Sequence, residues 1–576
     1  MPSEYGSVQS SESSPLTHDG FHVENGESVI HQHHELHRHL SLFDLTCLGV
    51  GATIGSGVFV LTGLIAHSQA GPACFLSWAI AGAAACLSGL CYAELGGRFP
   101  QAGSSYVYAR ETMGECASVI AGACLFLEYV GSASAVARSW GDKVVEFARS
   151  FDSEEKAGNF LWECFLFVLD PGFGINPCAF LISLASVLLL MGGVKESKVV
   201  ANTFTTFNVC LVLFMSGMSL SLMKRENMTP LFPSEFGAGG VIRGATSSFF
   251  GYIGFDEICC MSGEAINPSK NMPRAIILTL AIVSSLYVTA AFGLTSMVPY
   301  NECSETSGFP DGFRYRGVNW AAQVSAIGEL VSLPVVVLVT IMAQPRLQYA
   351  MAMDGILPPV FAAVDSLGNL TEGTRIAGIV MIATATLVPF TYLNDLISAG
   401  ILLAFTMTNT SVILIRQSSP SDKPYLLEKL MGCFHSLSLL TGFMLKSSLL
   451  AKSTAKLTHL LSVTFCLSNI FIGYKIQTQC QSKRSLMQWH SNEPNPSMYL
   501  APFVPILPLC GSFVNLYLIA QLDRIGLMMI FCYVGSAIGF YFYNLQYGKK
   551  NTAHGHRNAP ERMISLHEAK RSDTNN

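Results

Sequence analysis

Charge is what this chain has least of. Only 13% of its residues are charged and the net charge is -5, against roughly a quarter charged in an ordinary soluble domain. Half the residues are hydrophobic, and a mean hydropathy of +0.41 over 576 residues means that the apolar surplus recurs along the chain. The small net charge offers no basic surface to nucleic acid, so no nucleic-acid partner is expected. Metal-ligand spacing is missing as well: Cys259 and Cys260 are adjacent, and most of the 17 cysteines, such as Cys47, Cys124 and Cys210, sit in apolar stretches as small hydrophobes do. No metal and no cofactor is expected. Ser, His and Asp fall in tails or scattered loops, which argues against an enzyme. The run from Gly49 to Gly55 places its third glycine one residue late for a dinucleotide-binding turn and follows no strand. Residues 1–40 are polar, so no cleavable signal peptide is expected and the first span must direct insertion.

What the chain does have is about fourteen apolar stretches, each long enough to cross a bilayer. They lie near 43–65, 73–96, 115–138, 176–194, 199–223, 243–264, 274–298, 320–343, 375–393, 395–416, 430–450, 457–475, 500–521 and 525–546. The fold class is therefore all-α and polytopic, with lipid as the surrounding solvent. Four segments are expected: a disordered tail (1–40), a core of ten helices (41–416), four C-terminal helices (417–546) and a second tail (547–576). Arg98, Arg110, Lys270, Arg346 and Lys549 fall in the even-numbered loops and the C-terminal tail, which puts both termini in the cytoplasm. Lys446, Lys452 and Lys456 disagree, since they would lie near the outer ends of spans 11 and 12. The stretch 31–42, HQHHELHRHLSL, reads as a short solvated interfacial helix, with a metal or pH-sensing role as the alternative. KESK (195–198) reads as a charged loop end.

Two spans break the helix rule. Span 1 carries Gly49, Gly51, Gly55 and Gly57 among apolar residues, each costing about 1 kcal/mol in a helix. Span 6 carries Gly251 and Gly254 beside the acids Asp256 and Glu257. Unwound backbone is tolerable in lipid only where it lines a cavity. Breaks five spans apart are what a five-plus-five inverted repeat produces, with a substrate site between them; helix-packing notches are the alternative.

The phrase LGVGATIGSGVFVLTG (48–63) is similar to the first helix of the amino acid–polyamine–organocation (APC) superfamily. GPACFLSWAIAGAAACLSGLCYAELGGRFPQAGSSYVY (71–108), GYIGFDEICCMSGEAINPSKNMPRAI (251–276) and PRLQYAMAMDGILP (345–358) resemble its cationic amino acid transporter branch in particular. That resemblance covers about residues 40–546 and implies a LeuT-like core with broken helices 1 and 6, plus four further helices.

Physical reading and resemblance then assign roles. Backbone N–H groups at Ser56 and Gly57 would meet an α-carboxylate, with Gly55 allowing close approach. Carbonyls of Thr53, Ile54, Phe250 and Ile253 would meet the α-ammonium. Phe250 matches the family's capping aromatic, Phe255 falls in the same stretch, and Asp256 matches an acidic position linked to gating; a hydrogen-bonding role toward freed backbone is its alternative. Glu128, near the middle of span 3, is the side chain expected to meet a cationic substrate, or else a structural acid paired with Arg138. Asn208 stands where proton-coupled relatives carry a titratable lysine. Glu94 with Arg98, and Arg346 with Asp354, are expected either to close the inner vestibule or to anchor helix ends. The expected function is facilitated transport of arginine, lysine or ornithine by alternating access, driven by the membrane potential. A nutrient sensor on the same scaffold is its rival, and a proton-coupled carrier of broader amino acid or polyamine range its variant. A plasma membrane fits better than a vacuolar or lysosomal one, and an accessory subunit leaves no readable signal.

Overall fold

The computed structural model describes residues 38–55, 57–149, 167–172, 174–192, 194–305, 308–365, 369–450, 455–482, 498–522 and 524–554. Eight helices among them are long and apolar enough to cross a membrane, and Leu42–Thr53, Pro177–Gly192 and Ile506–Gln521 are shorter apolar helices. Leu213, Ile470 and Phe531 on such helices are more than half exposed, as side chains bathed in lipid would be. Lipid solvates them as well as a protein core does.

The chain opens with α1 (Leu42–Thr53), capped by a reciprocal pair in which Ser41 and Asp44 satisfy each other's backbone. After a break at Ile54 and Gly55 the helix resumes with π-type turns at Gly57–Leu61 and continues through α2 (Thr62–Ile65). Next come α3 (Cys74–Arg98), the short crossing helix α4 (Ser105–Met113), the long α5 (Glu115–Arg149), α6 (Pro177–Gly192) and α7 (Val194–Ser221). The sixth span is split into α8 (Gly237–Phe249), a 3-10 turn at Phe250–Tyr252, and α9 (Glu257–Cys260). Then follow α10 (Pro268–Met297), α11 (Gly308–Tyr315), α12 (Asn319–Met353), α13 (Thr371–Leu387) and α14 (Phe390–Arg416). Last are α15 (Leu426–Leu450), α16 (Ala455–Gln479), α17 (Ile506–Gln521) and α18 (Arg524–His554).

α5 is the central post and packs on α12, α13 and α14, while α1 lies against α7, α10 and α12. α17 docks the C-terminal helices onto α3 and α14. A two-residue antiparallel ladder, Gln417–Ser418 with Gln481–Ser482, clips their connections together.

Four expectations are adjusted. KESK belongs to the first turns of α7 instead of ending a loop, since nothing after Val194 breaks the helix. Residues 390–393 start α14 instead of closing the ninth span, because Pro389 interrupts the chain just before them. α18 runs on to His554, past the point where a tail was expected. Lys446, which disagreed with the charge rule, donates from Nζ to the carbonyls of Gln521 (3.0 Å) and Leu522 (2.5 Å), capping the end of α17. The histidine-rich stretch up to His37, the N-terminal tail and residues 555–576 lie outside the described residues, as does Lys452.

Candidate substrate site

The two interruptions meet backbone to backbone. A Cβ added to Gly57 would stand 2.6 Å from the Cα of Gly251, and one on Gly254 would stand 2.8 Å from the carbonyl carbon of Ala52. Gly254 has φ of 114°, a conformation that favours glycine. Only residues without side chains let the ends of α1 and the unwound stretch after α8 approach so closely.

Between them is a cavity of about 30 Å³, room for little more than water. A space of that size does not hold an amino acid without some opening of the surrounding helices. Thr53, Gly55, Gly57, Phe250 and Ile253, five of the expected binding residues, line it. So do Ser132 and Val136 from α5, Val336 and Thr340 from α12, and Glu257 from the start of α9. Ile54 and Phe255 are buried without lining it, and Phe255 packs instead against Tyr92 and Phe405 at 5.7 and 5.2 Å. Ser56 lies outside the described residues.

The freed carbonyls of α1 already have partners. The Tyr287 hydroxyl donates to Thr53 O at 2.7 Å, and the Asn208 amide donates to Ile54 O at 2.8 Å. A carbonyl accepts two hydrogen bonds, so each keeps one lone pair for an ammonium. Phe250 O receives the Ile253 N–H at 3.3 Å. Behind Gly251 stands a wall of Trp78, Tyr252 and Tyr287, whose rings lie 4.7 to 5.9 Å apart.

Three acids crowd this region. Glu128 and Asp256 are 0% exposed and Glu257 is 4% exposed. The Glu128 and Asp256 carboxyls lie within hydrogen-bonding reach of one another. The backbone N–H groups of Gly254 and Asp256 lie near the Asp256 carboxyl, but no oxygen of either acid has a hydrogen bond of normal geometry. Among the described residues none of the three acids forms an ion pair with a basic side chain. Arg138 is taken by the Thr386 carbonyl and Asp142, so it does not partner Glu128. Buried carboxyls in this state call for a proton or a cation.

Below the cavity, the face holding the start of α1 is tied shut. The backbone N–H groups of His39 and Leu40 donate to Glu264 O, and Ile266 N donates to Leu40 O. The Glu264 carboxylate accepts from Arg346 of α12 at 2.8 and 3.4 Å, with both side chains buried. Asp354 accepts from Tyr106 at 2.6 Å and from Arg110. Glu94 is bound by Arg416 at 2.6 and 2.8 Å and by Ala501 N at 2.9 Å, while Arg98 lies over the Phe99 ring. The four expected closure residues thus occur in three separate clusters. Their partners Glu264 and Arg416 carried no signal of their own in the sequence.

Of the cavity lining, the sequence reading missed Ala52, Ser132, Val136, Val336, Thr340 and the role of Glu257. Ser132 was legible in principle, one helical turn beyond Glu128. Val336 and Thr340 sit in an apolar run that would look the same buried anywhere.

A small cavity framed by two interrupted helices of a multi-pass membrane protein is the architecture of carriers that bind solutes at mid-membrane. The chain belongs to the amino acid permease family: the model Amino acid permease matches residues 40–487, and a second, C-terminus of AA permease, matches residues 499–552. It is 36% identical to human cationic amino acid transporter 4 over 68% of this chain and 62% of that protein. It is 35% identical to the methylthioribose transporter of Bacillus subtilis over 67% of this chain and 83% of the relative. To cationic amino acid transporter 2, vacuolar, of Arabidopsis thaliana it is 28% identical over 92% and 91% of the two chains. These are names of transporters, not of enzymes.

Proposed function

We propose that this chain carries amino acids with basic side chains, such as arginine, lysine and ornithine, across the plasma membrane by alternating access, with both termini in the cytoplasm. The observation that carries this reading is the group of three buried acids, Glu128, Asp256 and Glu257, unpaired with any described basic side chain, of which Glu257 borders the cavity at the two breaks. A neutral substrate would leave these acids to be met by protons alone, whereas a cationic one can meet a carboxylate directly. The names of the human and Arabidopsis relatives agree with it.

The flux is facilitated and driven by membrane potential. Asn208 holds Ile54 O with an amide that cannot titrate, so this position carries no proton. The facing carboxyls of Glu128 and Asp256 favour a second reading, in which a proton shared between them couples to transport.

Purified protein in liposomes with an imposed potassium diffusion potential separates the readings. At 100 mV, inside negative, a monovalent cation gains about 2.3 kcal/mol, enough for roughly fiftyfold accumulation of arginine and none of leucine. Accumulation at zero potential under a pH gradient would favour proton coupling. Binding without flux would identify a sensor and end the carrier reading.

A further inference from the structure

We infer that Glu257 is the side chain that meets the basic group of the substrate, a role the sequence alone suggested for Glu128. The inference rests on the cationic reading above and names the residue that enforces it. Neighbours in sequence, Asp256 and Glu257 face different surroundings. The Asp256 carboxyl reaches Glu128, and neither of those acids borders the cavity, whereas Glu257 does.

Glu257 is 4% exposed and its Oε2 has no partner. Its carboxyl lies close to the Thr340 hydroxyl on α12, and both residues line the cavity. Ser132 lines the same cavity from α5, and its buried hydroxyl is also without a partner. A carboxylate oxygen and a hydroxyl oxygen together suit a planar guanidinium or a three-donor ammonium. Val136 and Val336 border the same space, so an aliphatic stem has apolar walls to lie along. Asp256 and Glu128 lie close behind and do not border this space.

The test compares uptake of labelled arginine and labelled leucine by the full-length protein in liposomes. Glu257→Gln is expected to raise the arginine KM about ten- to hundredfold, the worth of a charge-assisted hydrogen bond, with the leucine KM within about twofold of wild type. Thr340→Val should move arginine in the same direction by less. Glu128→Gln should alter both substrates together. Equal effects of Glu257→Gln on both substrates, no effect on either, or an arginine-selective loss confined to Glu128→Gln would overturn the inference while leaving the cationic reading intact. Wild-type protein that moves leucine and not arginine would instead remove that reading. Should Glu257→Gln fail to fold, Glu257→Asp decides: the shortened carboxylate should penalise ornithine more than the longer arginine, and equal penalties count against the role.

Discussion

Replacing Gly57 by alanine tests whether the site depends on backbone contact between the two interrupted helices. The new Cβ would lie 2.6 Å from Gly251 Cα, whereas carbon atoms in contact settle about 3.5–4.0 Å apart. The breaks must therefore part by about 1 Å. Gly251 cannot retreat, because a Cβ on its far side would itself meet the buried Trp78 ring at 2.6 Å. A misplacement of about 1 Å costs on the order of a hundredfold in rate where geometry matters. Two companions grade the series. At Gly55 the added methyl meets only the Val336 side chain, at 3.0 Å, which can yield, so a loss of about tenfold or less is expected. At Gly217 on α7 nothing lies within 4 Å, so alanine should leave uptake unchanged and add up to about 1 kcal/mol of helix stability. Initial rates in liposomes, read beside thermal melting of the same preparations, separate loss of the site from loss of the fold. Wild-type kinetics in Gly57→Ala, or three equal losses, would refute the argument.

Removing one member of the Glu264–Arg346 pair leaves a buried charge alone, at a cost of about 3–5 kcal/mol to the closed arrangement. Arg346→Met should therefore raise thiol labelling of buried Cys47 on α1, read by peptide mass spectrometry; the double variant with Glu264→Gln should lose less than the two single effects summed. Strict additivity would show that the pair does not hold this face shut. Lys446→Met strips two carbonyls at the end of α17 of their donor, so melting should fall by the equivalent of about 1–3 kcal/mol with KM unchanged. A changed KM with unchanged melting would place Lys446 in the transport path instead.

The two interruptions were legible because glycine inside a membrane span carries a cost that sequence makes visible, and the chain unwinds after Thr53 and after Phe249 where those costs accumulate. Thr53, Gly55, Gly57, Phe250 and Ile253 could be named for the same reason: they flank the breaks. Glu128 and Glu257 looked alike in sequence, as acids in apolar runs. Which of them borders the cavity depends on the rotation of α5 and α9 about their axes, and hydropathy along a span fully enclosed by neighbours does not report rotation.

By itself, then, the sequence determined that this chain lives in a membrane, that its first and sixth spans cannot be continuous helices, and that acids lie at that depth. Each conclusion follows from a local free-energy cost borne by residues close together in the chain. The tertiary structure alone decided that the Asn208 and Tyr287 side chains hold the loose carbonyls, that Glu94 and Arg346 pair with Arg416 and Glu264, and that Glu257 faces the cavity. Those pairings join residues far apart along the chain, and only the packing of the helices brings their charges and hydrogen-bonding groups within reach of each other.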